Sequence, residues 1–125
     1  MIPKRIIKFR ALPVKNTAKG WVYGGISREE DGSCIYQQTP EIAKFRVIKD
    51  TIGQFSGIYS DDTKAEIYEG DVIAFTNAGD DTHHTGIVVY DSDSCQFVVM
   101  NKNSMNWMPL CEARNVKIVG NFYSE

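Results

Sequence analysis

The chain has 125 residues, 42% of them hydrophobic and 24% charged, with 14 Lys and Arg against 16 Asp and Glu. That length sets one domain, or two small intertwined modules, with enough core to fold without disulfide or metal staples. The composition excludes a disordered or low-complexity chain, and no apolar run reaches the roughly 18–20 residues of a membrane helix.

In chain order the periodicity is mostly that of strands. Residues 4–12 alternate charge and apolar side chains as a first strand ended by Pro13, and residues 16–20 are turn chemistry. Trp21 to Ile26 is an aromatic, β-branched second strand, and its paired glycines Gly24 and Gly25 point to a bulge or a close backbone approach. Glu29 to Gly32 turns the chain into a third strand at Ser33 to Gln37, which completes a hairpin or three-stranded meander. Thr39, Pro40 and Glu41 carry helix-start chemistry, but residues 40–48 become β-branched and fit a short helix and a strand equally well. Thr51 to Ile58 reads as an extended, glycine-spaced segment, and Tyr59 to Lys64 as a turn.

From Ala65 onward Glu66 to Asp71 leads into a strand at Val72 to Thr76, followed by a polar loop from Asn77 to Thr85. Three further strands are expected at Gly86 to Tyr90, Gln96 to Met100 and Asn106 to Leu110. Leu110 to Asn115 suits one tight helical turn before a last strand at Val116 to Gly120. Five short strands with a long first loop and a turn before the fifth is the order of an SH3-like barrel, which also removes exposed sheet edges.

Three motifs stand in order: Ile7 to Ala11 (IKFRA), Ile52 to Gly57 (IGQFSG) and Ile67 to Val72 (IYEGDV), closed by Val119 to Tyr123 (VGNFY). Together with Trp21-Val-Tyr-Gly24, this resembles the YopX family of phage and prophage proteins. That family's pattern runs KFRAW, W-x-Y-G, GQYTGL followed by IYEGD, and a terminal VIGNIY. Leu12 stands where the family usually has Trp, and Phe55 and Ser56 replace Tyr and Thr. The resemblance implies a mainly β oligomeric protein of a mobile element and carries no assigned activity. In physical terms Tyr68, Glu69, Gly70 and Asp71 read as a sharp strand entry whose carboxylate bonds turn N–H groups. Gly53, Gln54 and Gly57 suit a bulged or crossover segment joining the two halves, with the Gln54 amide pinning two backbones, in preference to contacting a ligand. Gly120 and Asn121 close the pattern.

The small net charge hides an asymmetry. Residues 1–20 carry Lys4, Arg5, Lys8, Arg10, Lys15 and Lys19 with no acid, whereas residues 61–93 carry nine acids against Lys64 alone. Lys4, Arg5, Lys8 and Arg10, with Trp21, form the candidate interaction surface, facing acids of a neighbouring copy or nucleic-acid phosphates. The alternation of charge equally suits an edge strand that discourages aggregation.

Cys34, Cys95 and Cys111 show no CxxC spacing, and Cys95 reads as a small apolar or strand-surface residue. Asp80, Asp81, His83 and His84 are metal-ligand types in a solvated loop, yet adjacent histidines point opposite ways when extended and no HExxH spacing occurs. Met100, Met105 and Met108 surround Trp107 as gap-filling core or as a partner-facing group. No nucleophile elbow, P-loop or dinucleotide turn is present.

The expectation is therefore a mainly β protein with minor α, comprising an N-terminal β meander (1–58) packed on a C-terminal SH3-like barrel (65–125) within one YopX-like unit. It is expected to be a cytoplasmic, non-enzymatic accessory protein without cofactor or resident metal. A homo-oligomer that binds a protein partner is expected, with nucleic acid the alternative and no membrane contact. Charges threaded through the first ten residues leave no separate apolar region for a secretory signal.

Overall fold

A computed structural model of the chain describes residues 5–14, 20–29, 32–37, 42–77, 82–101 and 107–123. The chain is mainly β, and the described residues contain eleven strands and two short 3-10 turns but no α-helix. Among the described residues, the small α content expected from the sequence is thus limited to those turns. Two compact units divide the chain, Met1–Phe55 and Ser56–Glu125.

The first unit contains β1 (Phe9–Ala11), β2 (Val22–Glu29), β3 (Gly32–Gln37), β4 (Ala43–Val47), a 3-10 turn at Lys49–Thr51 and the start of β5 (Gly53–Tyr59). Its sheet order is β4-β3-β2-β1-β5, antiparallel along the paired strands. β2 serves two neighbours in turn. Val22 to Gly24 pair with Ala11 to Phe9, and Gly25 to Glu29 pair with Tyr36 to Gly32. This change of partner shortens the first strand, because residues preceding Phe9 lose the neighbour that β2 would have supplied. The expected strand from residue 4 is therefore three residues long, and Arg5 to Lys8 are irregular.

Residues 43–47 are a strand, settled by pairing with β3 from Ala43 opposite Gln37 to Val47 opposite Ser33. Thr39, Pro40 and Glu41 lie outside the described residues. Period-2 alternation gathers Ala11, Val22, Ile35 and Val47 on one face, with Phe9, Phe45 and Ile52 packed against them. Thr51 ties the 3-10 turn to this sheet: its hydroxyl donates to Ile48 O at 2.7 Å and accepts from Leu12 N–H at 2.9 Å.

The second unit holds the rest of β5, with β6 (Glu66–Tyr68) beside it, and a five-stranded sheet. That sheet comprises β7 (Asp71–Asn77), β8 (His83–Asp91), β9 (Gln96–Met100), β10 (Trp107–Pro109) and β11 (Ala113–Asn121), in the order β10-β9-β8-β7-β11. The expected turn before the last strand is the 3-10 turn Leu110–Glu112. Ile67, Ile73, Phe75, Val88, Val99, Leu110, Ala113 and Val116 form the core, with Met108 packed on it.

β11 breaks register with β7 between Arg114 and Lys117 and again between Ile118 and Gly120. At the first break Asn115 adopts a φ of 52°, and its amide donates to Thr76 Oγ1 at 3.0 Å. The displaced Val116 finds other partners: its N–H donates to Asp61 Oδ2 at 2.7 Å, and its carbonyl accepts from Asp61 N–H at 2.8 Å. A bulge of this kind bends the strand while the 61–64 turn fills the gap in the ladder.

Candidate interaction surface

The most specific sequence motif folds into a locked turn. Gly70 carries a φ of 92°, a conformation that favours glycine, and its N–H donates to Val88 O at 2.8 Å. Asp71 is 2% exposed. Its Oδ2 accepts from Tyr68 N–H at 2.8 Å and its Oδ1 from the Asn121 amide at 3.3 Å. Asn121 in turn accepts from Tyr123 N–H at 2.8 Å, and Phe122 N–H donates to Gly70 O at 2.7 Å. The Tyr68 hydroxyl donates to Glu66 at 2.9 Å, while Glu69 is half-buried beside the turn. Tyr68, Gly70, Asp71 and Asn121 thus tie the start of β7 to the end of β11, with both oxygens of the Asp71 carboxylate engaged within the turn. Gly120, opposite Val72, belongs to the same ladder.

Gly53 is buried opposite Arg10, and Gln54 is half-buried opposite Phe9. These pairings put both on the strand that flanks β1. Gly57 bends β5 with a φ of 87°.

The basic segment is divided by burial. Lys4, with Lys15 and Lys19, lies outside the described residues. Arg5 is exposed and Lys8 half-buried, but Arg10 is only 6% exposed, with its guanidinium 4.2 Å from the centre of the Trp21 ring. Arg10 was expected at the surface. Instead its position between β2 and β5 in the sheet, with Trp21 over it, makes it a cation–π element of the scaffold. Trp21 is correspondingly half-buried and engaged.

The same sheet face carries residues not singled out from sequence. Tyr23 lies opposite Arg10, Tyr36 opposite Gly25, and both tyrosines are exposed. With Ile6, Ile7 and Lys8 they line an open groove of about 500 Å³. Lys44, opposite Tyr36, and Arg46, opposite Cys34, extend this face. Their signal was present in the alternation of residues 33–37, where Cys34 and Tyr36 must face away from Ile35.

Glu29 organises the far end of the face. It accepts from the Tyr36 hydroxyl at 2.7 Å and from Lys44 Nζ at 2.7 Å. The Glu29 hydrogen bond is the main reason that Tyr36 holds its proton above its usual 10.0 and Lys44 above its usual 10.5. Both folded values are raised, so their contribution is complete below the unfolded values and disappears as pH climbs through the folded ones. Stability is therefore expected to fall slightly above about pH 10, since exposed pairs contribute little. Titration of tyrosinate absorbance will check the cause: Glu29→Gln should move the Tyr36 midpoint downward, and an unmoved midpoint would contradict it.

The histidines lie within β8 rather than in the loop expected for them. His83 pairs with Thr76 and His84 with Phe75, so the two point to opposite faces. His84 stacks on Phe75 with centroids 5.5 Å apart. Asp80 and Asp81 lie outside the described residues, and no group of three or more potential ligands among the described residues is placed to hold a metal ion. Phe75 and His84 instead form one wall of a pocket of about 260 Å³, shared with Asn77, Val99, Trp107 and Met108 among others. Trp107 is 50% exposed at this pocket.

The thiols differ in placement. Cys34 is fully buried, whereas Cys95 and Cys111 are exposed. Cys95 lies exposed in the β8–β9 turn with a φ of 55°, neither packed as a small apolar residue nor on a strand surface.

Among the described residues no helix is long and apolar enough to cross a membrane. A comparison with curated proteins finds no match. The model of the YopX protein family matches residues 8–125, and that span contains the locked Tyr68-to-Asp71 turn, the Gly24 crossing and the closing Asn121 segment. The chain belongs to the YopX family.

Proposed function

We propose that this protein is a non-enzymatic, cytoplasmic accessory protein of phage or prophage origin that self-associates and binds another macromolecule. The observation that carries the reading is the separation of charge between the two units. Residues 1–55 contain ten Lys and Arg against five Asp and Glu, and residues 56–125 contain four against eleven. Net charges of +5 and −7 on successive units of one chain favour contact between unlike units of different copies. The order β10-β9-β8-β7-β11, with a 3-10 turn before the last strand, supports reading residues 65–125 as an SH3-like barrel.

Light scattering on a sizing column tests the assembly. A multimer is expected at low salt, shifting toward monomer as salt approaches physiological strength and above. A monomer at every protein concentration in low salt would overturn the reading.

One observation favours a second reading. Exposed Tyr23 and Tyr36 stand on a basic unit near Lys8 and Arg46, the combination that single-stranded nucleic acids use for stacking and phosphate contact. In that case the protein peak would carry excess absorbance at 260 nm, removed steeply by salt.

A further inference from the structure

We infer that the N-terminal sheet binds a single-stranded nucleic acid by holding one unpaired base in a slot between Tyr23 and Tyr36, above Gly25. The inference rests on the second reading, binding of nucleic acid, and names its site. Gly25 pairs with Tyr36 across the β2–β3 ladder, and Tyr23 lies two residues before Gly25 on β2. Strand residues two apart share a face, and Tyr23, Gly25 and Tyr36 all line the same groove. The two tyrosines are therefore diagonal neighbours on one side of the sheet. Such neighbours are about 7–8 Å apart, which equals two carbon-to-carbon contacts of about 3.5–4.0 Å. A flat base fits that spacing with both of its faces covered.

The slot is open because a glycine stands where a side chain would fill it. A Cβ built on Gly25 meets no atom within 4 Å, although Tyr36 is its direct cross-strand partner. On the opposite side Tyr36 is supported from β4. Lys44 faces it there with its ammonium 5.8 Å from the ring centre, and Glu29 accepts from both the Tyr36 hydroxyl and Lys44 at 2.7 Å. A tethered hydroxyl and one packed face leave the ring little rotational freedom to lose when its other face, toward β2, takes a base. Tyr23 and Tyr36 are 41% and 39% exposed, so both rings are within reach of a ligand. The charge of the groove lining identifies the occupant. Lys8 lies in it, none of the described lining residues is acidic, and exposed Arg5 precedes Lys8 by three residues. Aromatic rings for the base beside cations for the phosphates are the means by which single strands are held. A duplex keeps its bases stacked inside and offers none to the slot.

Fluorescence anisotropy of a labelled oligothymidylate of about 12 nucleotides, titrated with the full chain at low salt, tests this. The single strand is expected to bind about tenfold or more tightly than a duplex of the same length. Tyr23→Ala removes one wall and Gly25→Val fills the slot. Each should weaken binding about tenfold or more with an unchanged circular dichroism spectrum. Tyr23→Phe keeps the ring and should bind within about twofold of the parent. The slot is overturned, and the nucleic-acid reading kept, if the strand binds but Tyr23→Ala binds as the parent does. Equal affinity for the duplex, or a loss in Tyr23→Phe as large as in Tyr23→Ala, has the same meaning. A parent protein that binds neither strand nor duplex at low salt overturns both.

Discussion

Gly24→Ala should unfold the N-terminal unit. A Cβ at Gly24 would lie 1.9 Å from the carbonyl oxygen of Tyr36 and 2.8 Å from its carbon, and both are backbone atoms that no rotamer change can move aside. The site is the point where β2 leaves β1 for β3, so relief would require breaking one of the two ladders. Positive-φ strain at a φ of 153° adds to the overlap. We expect a loss of about 3 kcal/mol or more, at the upper end of single-substitution effects. Gly25→Ala is the control, because nothing lies within 4 Å of its added Cβ. It should cost no more than about 1 kcal/mol. The two tryptophans fall one to a unit, Trp21 and Trp107, so urea melts in a Trp107→Phe background report on the N-terminal unit alone. Equal midpoints for the two alanine variants would refute the crossing argument.

Asp71→Ala should be the most damaging change to a charged residue in the C-terminal unit. It removes the acceptor of the buried Tyr68 N–H and the partner of the Asn121 amide in one step. An orphaned buried donor costs about 1–3 kcal/mol, and loss of the second bond brings the expected total to about 2–4 kcal/mol. Asp71→Asn keeps one oxygen for Tyr68 but presents an NH₂ to the NH₂ of Asn121. Asn121 cannot simply turn over, because its own oxygen accepts from Tyr123 N–H. The Asn variant should therefore lose about half as much as the Ala variant. Asp93→Ala, in the exposed β8–β9 turn, should stay within about 0.5 kcal/mol of the parent. Trp107 fluorescence in a Trp21→Phe background reads all three. If Asp71→Ala matches Asp93→Ala, the turn is not the lock described.

The elements most legible in the sequence were those with both alternation and turn punctuation. β3, β7, β8 and β9 fall within a few residues of the strands expected from 33–37, 72–76, 86–90 and 96–100. The close approach at Gly24 was also legible, since paired glycines in an aromatic strand have few other uses. Residues 40–48 were not, because a helix-start signal and a β-branched end conflict locally and only pairing with β3 decides between them. The first strand was overextended for a similar reason: its alternation is genuine, but a strand also needs a neighbour, and β2 is committed to β3 beyond Gly24.

The interaction surface was legible in charge and illegible in detail. Arg10 has the composition of a surface cation, yet its register with Gly53 and Tyr23 places it inside the sheet under Trp21. Tyr36 and Lys44 were overlooked because their grouping with Glu29 arises only when three strands align.

The pairing of early strands with late ones governs how the protein can emerge from a ribosome. In the N-terminal unit Arg10 waits for Gly53, and in the C-terminal unit Asp71 waits for Asn121. Neither unit can close its sheet until most of its own length has been synthesised, and the loop-closure cost of such long-range pairing slows the step. Yet no strand pairing within β1 to β4 requires any residue beyond Val47. The strand pairings of the basic half can therefore begin to form while the acidic half is still being translated.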